Sequence, residues 1–253
     1  MAKRFLSLKS TVICVDINES ELNKTINEFK RDLPISDHQH LFSYTADVAS
    51  YEQMKSLVKQ IKRDVGDVTI LVNNAGIMNG FKLLTDLSED EIRRIFDVNI
   101  LAQFWLCKQN LTFIHDILII NHKFALKGKE IVPSMVLSNK GHIVNISSIC
   151  GFMGGERVTD YCSTKFAVYG LSESLRVELK NLNKNNKIIV TTVCPCHVKT
   201  KMFEMVKFNH FNWLGLSMEP EYVCDEIIHG ILLDKKLIYV PKLLVTICSM
   251  FKG

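Results

Sequence analysis

The chain has 253 residues, 47% of them hydrophobic and 23% charged, with a net charge of +4. That balance excludes a disordered chain. So mild a charge, without a dense Lys/Arg block, also argues against nucleic acid as a partner. The length suits one large domain or two small ones, either with a full core. Twelve glycines occur, none before Gly66, so the first quarter of the chain lacks the glycine-rich loops that cradle phosphates. The eight cysteines are scattered, with no Cys-x-x-Cys pair and no His spacing that points to zinc, so no metal site is expected. No secretory leader is recognisable, and a reducing, cytosol-facing compartment is expected. The longest apolar stretches are interrupted, as by Lys108 and Asp116. None reaches the roughly 20 apolar residues that span a bilayer.

Short apolar runs alternate with helical patterns along the chain. Thr11 to Val15 reads as a buried strand closed by Asp16, and Ser20 is a candidate N-cap for a helix to about Arg31. Leu41 to Thr45 is a second strand, followed by Asp47. Tyr51 to Val65 reads as a helix with Met54, Leu57, Val58 and Ile61 on one face. A third strand, Thr69 to Val72, stops at Asn73-Asn74-Ala75-Gly76. Ser88, with Glu91 three residues on, marks a helix start. His142 to Ile146 is a strand ending in Ser147-Ser148. Arg157 to Leu182 is a long helix with Val168, Leu171, Leu175 and Leu179 on one face. A strand from Ile188 to Val193 ends at Pro195. A helix near Pro220 to Leu233 and a strand from Leu237 to Val240 close the pattern. This alternation predicts an α/β fold, a parallel sheet covered on both faces, with ligands beyond the C-terminal strand ends. The polar clusters at Asp16, Asp47, Asn73/Asn74, Ser147/Ser148 and Cys194 to Thr200 fall there.

Tyr161 and Lys165 are four residues apart and share a helix face. Alone, the pair reads as a half-buried Tyr beside a solvated Lys. Ser148, at a strand end thirteen residues earlier, can sit opposite the start of that helix. Asn99 interrupts an otherwise apolar helical run and reads alone as a capped or solvent-facing residue. In order, spacing and placement, Asn73-Asn74-Ala75-Gly76, Asn99, Ser148 and Tyr161-x-x-x-Lys165 resemble the signature of the short-chain dehydrogenase/reductase family. Gly141-His142-Ile143-Val144, the run Asp160 to Phe166, and Cys194-Pro195-x-x-Val198-x-Thr200 are similar to its retinol and 17-beta-hydroxysteroid dehydrogenase branch.

The resemblance implies a single domain over 1–253, a Rossmann-like doubly wound sheet and hydride transfer between NAD and a lipid-like alcohol or ketone, such as a steroid, retinoid or fatty alcohol. It makes Tyr161 the general acid or base, with Lys165 and the oxidised nicotinamide favouring its phenolate. Ser148 positions the substrate oxygen, Asn99 holds a water on a proton path from Lys165, and Lys165 also binds the nicotinamide ribose. Asp16 takes the adenosine ribose hydroxyls and repels the 2′-phosphate, so NAD is expected over NADP. Read alone, Asp16 initiates a turn. Asp47 and Val48 flank the adenine, Asn74 lies by the adenosine ribose, and Pro195, Val198 and Thr200 line the nicotinamide. Met153 to Val158 and the aromatic-rich run Met202 to Leu216 are expected to contact substrate; the alternative is that the run forms a packed helix pair or a surface resting on a membrane. The resemblance further implies a homodimer and residence at the cytosolic side of the endoplasmic reticulum or on a lipid droplet, with no anchor in this sequence.

Two departures stand out. The family's first strand and its Gly-rich loop are missing, and Met1 to Ser10 is similar to the latter half of the helix that follows that loop. A normally central strand is therefore expected to be absent between Thr11–Val15 and Thr69–Val72. Residues from Gln109 to about Glu130 read as extra material, either an insertion or a longer helix. The alternative to an enzyme is a truncated, non-catalytic isoform that binds NAD weakly, or a protein docked on a lipid surface.

Overall fold

The computed structural model describes residues 1–111, 135–182, 185–203 and 217–242. Helix α1 (Ala2–Ser7) leads into β1 (Val12–Asp16), α2 (Glu19–Asp32), β2 (Leu41–Thr45), α3 (Tyr51–Asp64) and β3 (Ile70–Asn73). Then come α4 (Glu89–Phe96), a π-helical turn (Asp97–Leu101), α5 (Ala102–Leu111), the short α6 (Met135–Ser138) and β4 (Gly141–Ile146). The long α7 (Thr159–Leu182), β5 (Ile188–Pro195), β6 (His197–Val198), β7 (Ser217–Met218), α8 (Pro220–Leu232) and β8 (Leu237–Val240) complete the order.

The caps show why these segments start where they do. At α4 the Ser88 hydroxyl accepts from the Glu91 N–H while the Glu91 carboxylate accepts from the Ser88 N–H, the reciprocal box expected from the sequence. The expected cap at Ser20 is displaced to Asn18, whose side-chain oxygen accepts from the Glu21 N–H and starts α2 two residues earlier. Met54, Leu57 and Ile61 of α3 are buried as expected, with Val58 half-buried beside them.

Every pairing in the sheets is parallel, but the strands form separate sheets. β1 pairs with β2 alone, β3-β4-β5-β8 run side by side, and β6 pairs with β7. No ladder joins β1 to β3 among the described residues, where the sequence reading placed the missing strand. Helices hold the two parts together. Leu6 of α1 packs with Leu22, Ile26 and Leu41, while Met1 and Phe5 lie against the core of Val144, Val193, Val223 and Ile227. Arg4 adds an ion pair to Asp225 of α8. On the other side, α3 packs against Ile13 and Val15 of β1 and against Val68 and Leu106.

The core lies between β4, β5 and α7. Leu171, Leu175 and Leu179, placed on one helix face from the sequence, are buried here with Ile143, Ile188 and Val190. A buried polar network crosses it. The Asn73 amide donates to the Asn145 side-chain oxygen at 2.7 Å, and the Asn145 amide donates to the Ser172 hydroxyl at 2.9 Å, linking β3, β4 and α7. Of the segment read as extra, residues 109–111 complete α5, and the remainder to 130 lies outside the described residues. No described helix is long and apolar enough to cross a membrane.

Candidate active site

The C-terminal end of β4 delivers Ser147 and Ser148, and the first turns of α7 deliver Tyr161 and Lys165. A 3₁₀ turn, Ile149–Gly151, begins at Ser148, whose hydroxyl oxygen accepts from the Cys150 N–H at 3.2 Å. The same hydroxyl lies 3.5 Å from the Pro195 carbonyl, at the end of β5. The turn rests directly on α7. The Ser147 hydroxyl donates to the Lys165 carbonyl at 2.9 Å. A methyl group on Gly151 would lie 2.5 Å from that hydroxyl and 2.8 Å from the Lys165 carbonyl. Gly151→Ala therefore forces the turn off the helix, and we expect a loss of about 1–3 kcal/mol, read as a lower melting temperature. An unchanged melt would show that the close approach is not needed.

Tyr161 is buried among Ile95, Val158 and Cys162, and its hydroxyl is hydrogen-bonded to Ser148. Burial pushes the phenol above its ordinary value, while the bond to Ser148 pulls in the opposite direction. Tyr161 therefore keeps its proton across the neutral range. The Lys165 ammonium sits 5.4 Å from the centre of the Tyr161 ring and donates to the Ile146 carbonyl at 3.0 Å. Its burial lowers its value from 10.5 to about 8, because a low-dielectric setting disfavours the charged form.

Asn99 is fully buried in the π-helical turn. Its side-chain oxygen accepts from the Ile77 N–H at 2.7 Å, and its amide donates to the Ile77 carbonyl and to the Thr164 hydroxyl. Its own carbonyl accepts from the Gln103 amide at 3.0 Å. It thus clamps the segment after β3 onto α7, neither capped nor solvent-facing. A methyl on Gly76 would lie 3.4 Å from the Asn99 side-chain oxygen and 3.6 Å from the Lys165 nitrogen, so Gly76 lies between these two polar groups.

The structure brings Asn99, Ser148, Tyr161 and Lys165 together, with Pro195 at the rim. The other sequence-derived candidates are spread wider. Asp16 is exposed at the end of β1, where one carboxylate oxygen accepts from the Asn18 N–H in a turn. Asp47 forms an ion pair with Arg94 and accepts from the Ala49 N–H. Burial alone would raise the Asp47 carboxyl, but these hydrogen bonds together hold it below the ordinary range. Val48 packs on the α3 core, Asn74 is exposed, Val198 packs against the β5/α8 core, and Thr200 is exposed. Met153 is half-buried, residues 154–157 are exposed and Val158 is buried. Met202 and Phe203 form a 3₁₀ turn, and 204–216 lie outside the described residues. Sequence reasoning missed Arg94 and Asn145, whose contacts join segments distant in the chain.

A buried ammonium, a phenol and a hydroxyl lie together at the C-terminal strand ends of a parallel α/β sheet, where such folds bind ligands. The family model for short chain dehydrogenase matches residues 1–117 and 124–209. The chain is 34% identical to human epidermal retinol dehydrogenase 2, over 96% of this chain and 70% of that protein. It is 33% identical to human 17-beta-hydroxysteroid dehydrogenase 13, over 94% of this chain and 68% of that one. Among solved structures, a short-chain dehydrogenase/reductase from Burkholderia phymatum in complex with NAD is similar at a TM-score of 0.77. The match has 19% identity and covers 98% of this chain and 86% of that one. A Sphingobium yanoikuyae short-chain dehydrogenase in complex with NADPH is similar at 0.76 with 20% identity, covering 100% and 86% of the respective chains. These structural likenesses show the fold. The chain belongs to the short-chain dehydrogenase/reductase family, and so to the alcohol dehydrogenases and reductases that use a nicotinamide cofactor.

The residues present fit one half of such a cofactor. The Lys165 ammonium has three donors and is desolvated beside Tyr161, so it suits ribose hydroxyls. The first turn of α2 carries Glu19 and Glu21, so that helix N-terminus does not suit an anion.

Proposed function

We propose that this chain transfers hydride between NAD and a lipid-like alcohol or ketone. The observation that carries this reading is the buried Ser148–Tyr161–Lys165 group at the C-terminal end of β4 and the start of α7. The nicotinamide supplies the hydride acceptor or donor. Ser148 holds the substrate oxygen, and Tyr161 moves the proton at that oxygen. Lys165 holds the nicotinamide ribose and biases the Tyr161 hydroxyl toward release of its proton. Because Tyr161 is neutral at rest, it is already in the donor form that reduction of a carbonyl needs; oxidation needs the phenolate.

Support for NAD over NADP comes from the exposed carboxylate of Asp16 at the end of β1. Its negative charge is unfavourable to a 2′-phosphate, and it retains acceptor capacity beyond the turn it closes. A lipid-like substrate is favoured by the two relatives named for a retinol and a steroid. A second reading, a non-catalytic member with weak NAD binding, is favoured by the missing ladder between β1 and β3 and by the acidic start of α2.

Titration with NAD and with NADP, followed by fluorescence, separates the two. We expect saturable NAD binding, NADP weaker by at least about tenfold, and turnover of a retinoid or steroid alcohol. Asp16→Ser should narrow the difference between the cofactors. A folded sample that binds neither cofactor overturns the enzyme reading.

A further inference from the structure

Two thiols beside the candidate site have no part in the chemistry above. Cys150 lies in the 3₁₀ turn two residues after Ser148, and Cys162 follows Tyr161 directly in the first turns of α7. Both belong to one packed cluster with Ile95, Val158 and Tyr161, and the two side chains are hydrogen-bonded to each other. Both are free cysteines, Cys150 half-buried and Cys162 buried. Cys162 lies just beneath an exposed segment. Residues 154–157 are exposed, and the position of a methyl on Gly155 would lie 3.7 Å from the Cys162 sulfur.

We propose that Cys150 and Cys162 are a reversible disulfide pair, a site of oxidative modification that ties the Ser148 turn to the Tyr161 helix. The division of roles follows from the local chemistry. Cys150 donates its S–H to Cys162, and the Gly155 N–H points to the same sulfur, so Cys162 is the more acidic thiol. The same bond, with burial, holds the proton on Cys150. The thiolate is the nucleophile in thiol oxidation. Cys162 therefore attacks hydrogen peroxide, giving Cys162–SOH and hydroxide. The Cys150 thiol then attacks that sulfenic sulfur; the S–S bond forms, the S–O bond breaks, and the oxygen leaves as water with the Cys150 proton. Overall, two thiols and one peroxide give one disulfide and two waters. Closing the bond brings two sulfurs of one packed cluster to about 2.0 Å. The movement falls on the short turn, since α7 is anchored by Val168, Leu171 and Leu175 in the core. None of these steps depends on cofactor binding, so the pair stands or falls separately from the proposed reaction.

The sequence makes the test direct. Trypsin cuts after Lys140, Arg157 and Lys165, so Cys150 and Cys162 fall in separate peptides, 141–157 and 158–165, each with one cysteine. The full chain is treated with peroxide at neutral pH, alkylated, digested and mapped by mass. We expect the two peptides joined, about 2 Da below the sum of the reduced pair, and released by dithiothreitol. The joined product disappears in Cys150→Ser, where Cys162 proceeds instead to sulfinic acid, about 32 Da heavier. It also disappears in Cys162→Ser, with Cys150 left reduced. Sulfinic acid at Cys162 of the unsubstituted chain without the joined peptides overturns the proposal. So does preferential closure within peptide 188–199, which holds Cys194 and Cys196. The unsubstituted chain gives the decisive reading, so misfolding of a serine variant would not obscure it.

Discussion

Tyr161→Phe is expected to lower turnover by about 10²–10⁴-fold, the usual contribution of a positioned acid or base. NAD binding should change little. The substitution keeps the ring, which fills the space between Ile95, Val158 and Cys162, and deletes only the hydroxyl. Ser148 retains its contacts with the Cys150 N–H and the Pro195 carbonyl, so the turn should hold. Comparison of kcat, cofactor affinity and melting temperature in the two proteins checks this. Turnover within about tenfold of the parent would remove Tyr161 from proton transfer. The direction of the reaction adds a second signature. Burial raises the phenol, so the proton is lost only well into alkaline pH. The oxidation rate should climb as pH rises, while reduction, which uses the protonated form, should be flat across the neutral range. That contrast vanishes in Tyr161→Phe.

Lys165→Met should do two things that ordinarily oppose one another: abolish most turnover and stabilise the fold. The ammonium is fully enclosed, and burial lowers its value from 10.5 to about 8. Holding it charged therefore costs about 3 kcal/mol at neutral pH. Met fills a similar volume without that cost. Loss of the charged hydrogen bond to the Ile146 carbonyl gives back about 1.5 kcal/mol. A net gain of about 1–2 kcal/mol corresponds to a rise of about 2–8 °C in Tm. The sign of the pH dependence is fixed by the direction of the shift. Below pH 8 both folded and unfolded chains carry the proton, and the folded chain bears the full penalty. Between about pH 8 and 10.5 the folded chain releases the proton while the unfolded chain keeps it, so the parent gains stability there. The advantage of Lys165→Met should thus shrink across that window and reverse above it, where the parent is the more stable protein. Other groups titrate in the same range, which is why the difference between the two proteins, not either melt alone, is the quantity to follow. A lower Tm for Lys165→Met at pH 7 would show that the ammonium supports the fold. A small loss of turnover would remove Lys165 from catalysis. Buried charge of this kind, unfavourable to stability and placed beside a reactive phenol, is where function and folding pull apart.

Much of the architecture was legible from the sequence because it rests on local rules. Apolar periodicity located α3 and α7 and named the buried faces Met54/Leu57/Ile61 and Val168/Leu171/Leu175/Leu179. The Ser88/Glu91 box fixed the start of α4, and parallel strands followed from alternation with helices. The start of α2 was misplaced because Ser20 and Asn18 are both competent caps, and propensity does not say which oxygen reaches a free N–H. The motif residues Ser148, Tyr161 and Lys165 could be picked out because their spacing puts a strand end against a helix turn.

The sequence by itself thus determined the α/β class and the family, since these depend on periodicity and on short motifs, and it singled out Asn99, Ser148, Tyr161 and Lys165 as candidates. Only the tertiary structure decided how those residues are disposed. Asn99 proves to be a clamp between Ile77 and Thr164, Asp47 is engaged by Arg94 from another helix, and Cys150 meets Cys162 across twelve residues of chain. Those partners come from segments far apart or separated by turns, and no local rule sets which atoms meet there. The absence of glycine before Gly66 was visible at once. Its structural counterpart, a two-stranded sheet joined to the four-stranded one through helix packing instead of a ladder, appears only when hydrogen bonds across distant strands are traced. Strand pairing depends on the whole fold, because each edge is satisfied by whichever chain segment packing brings beside it.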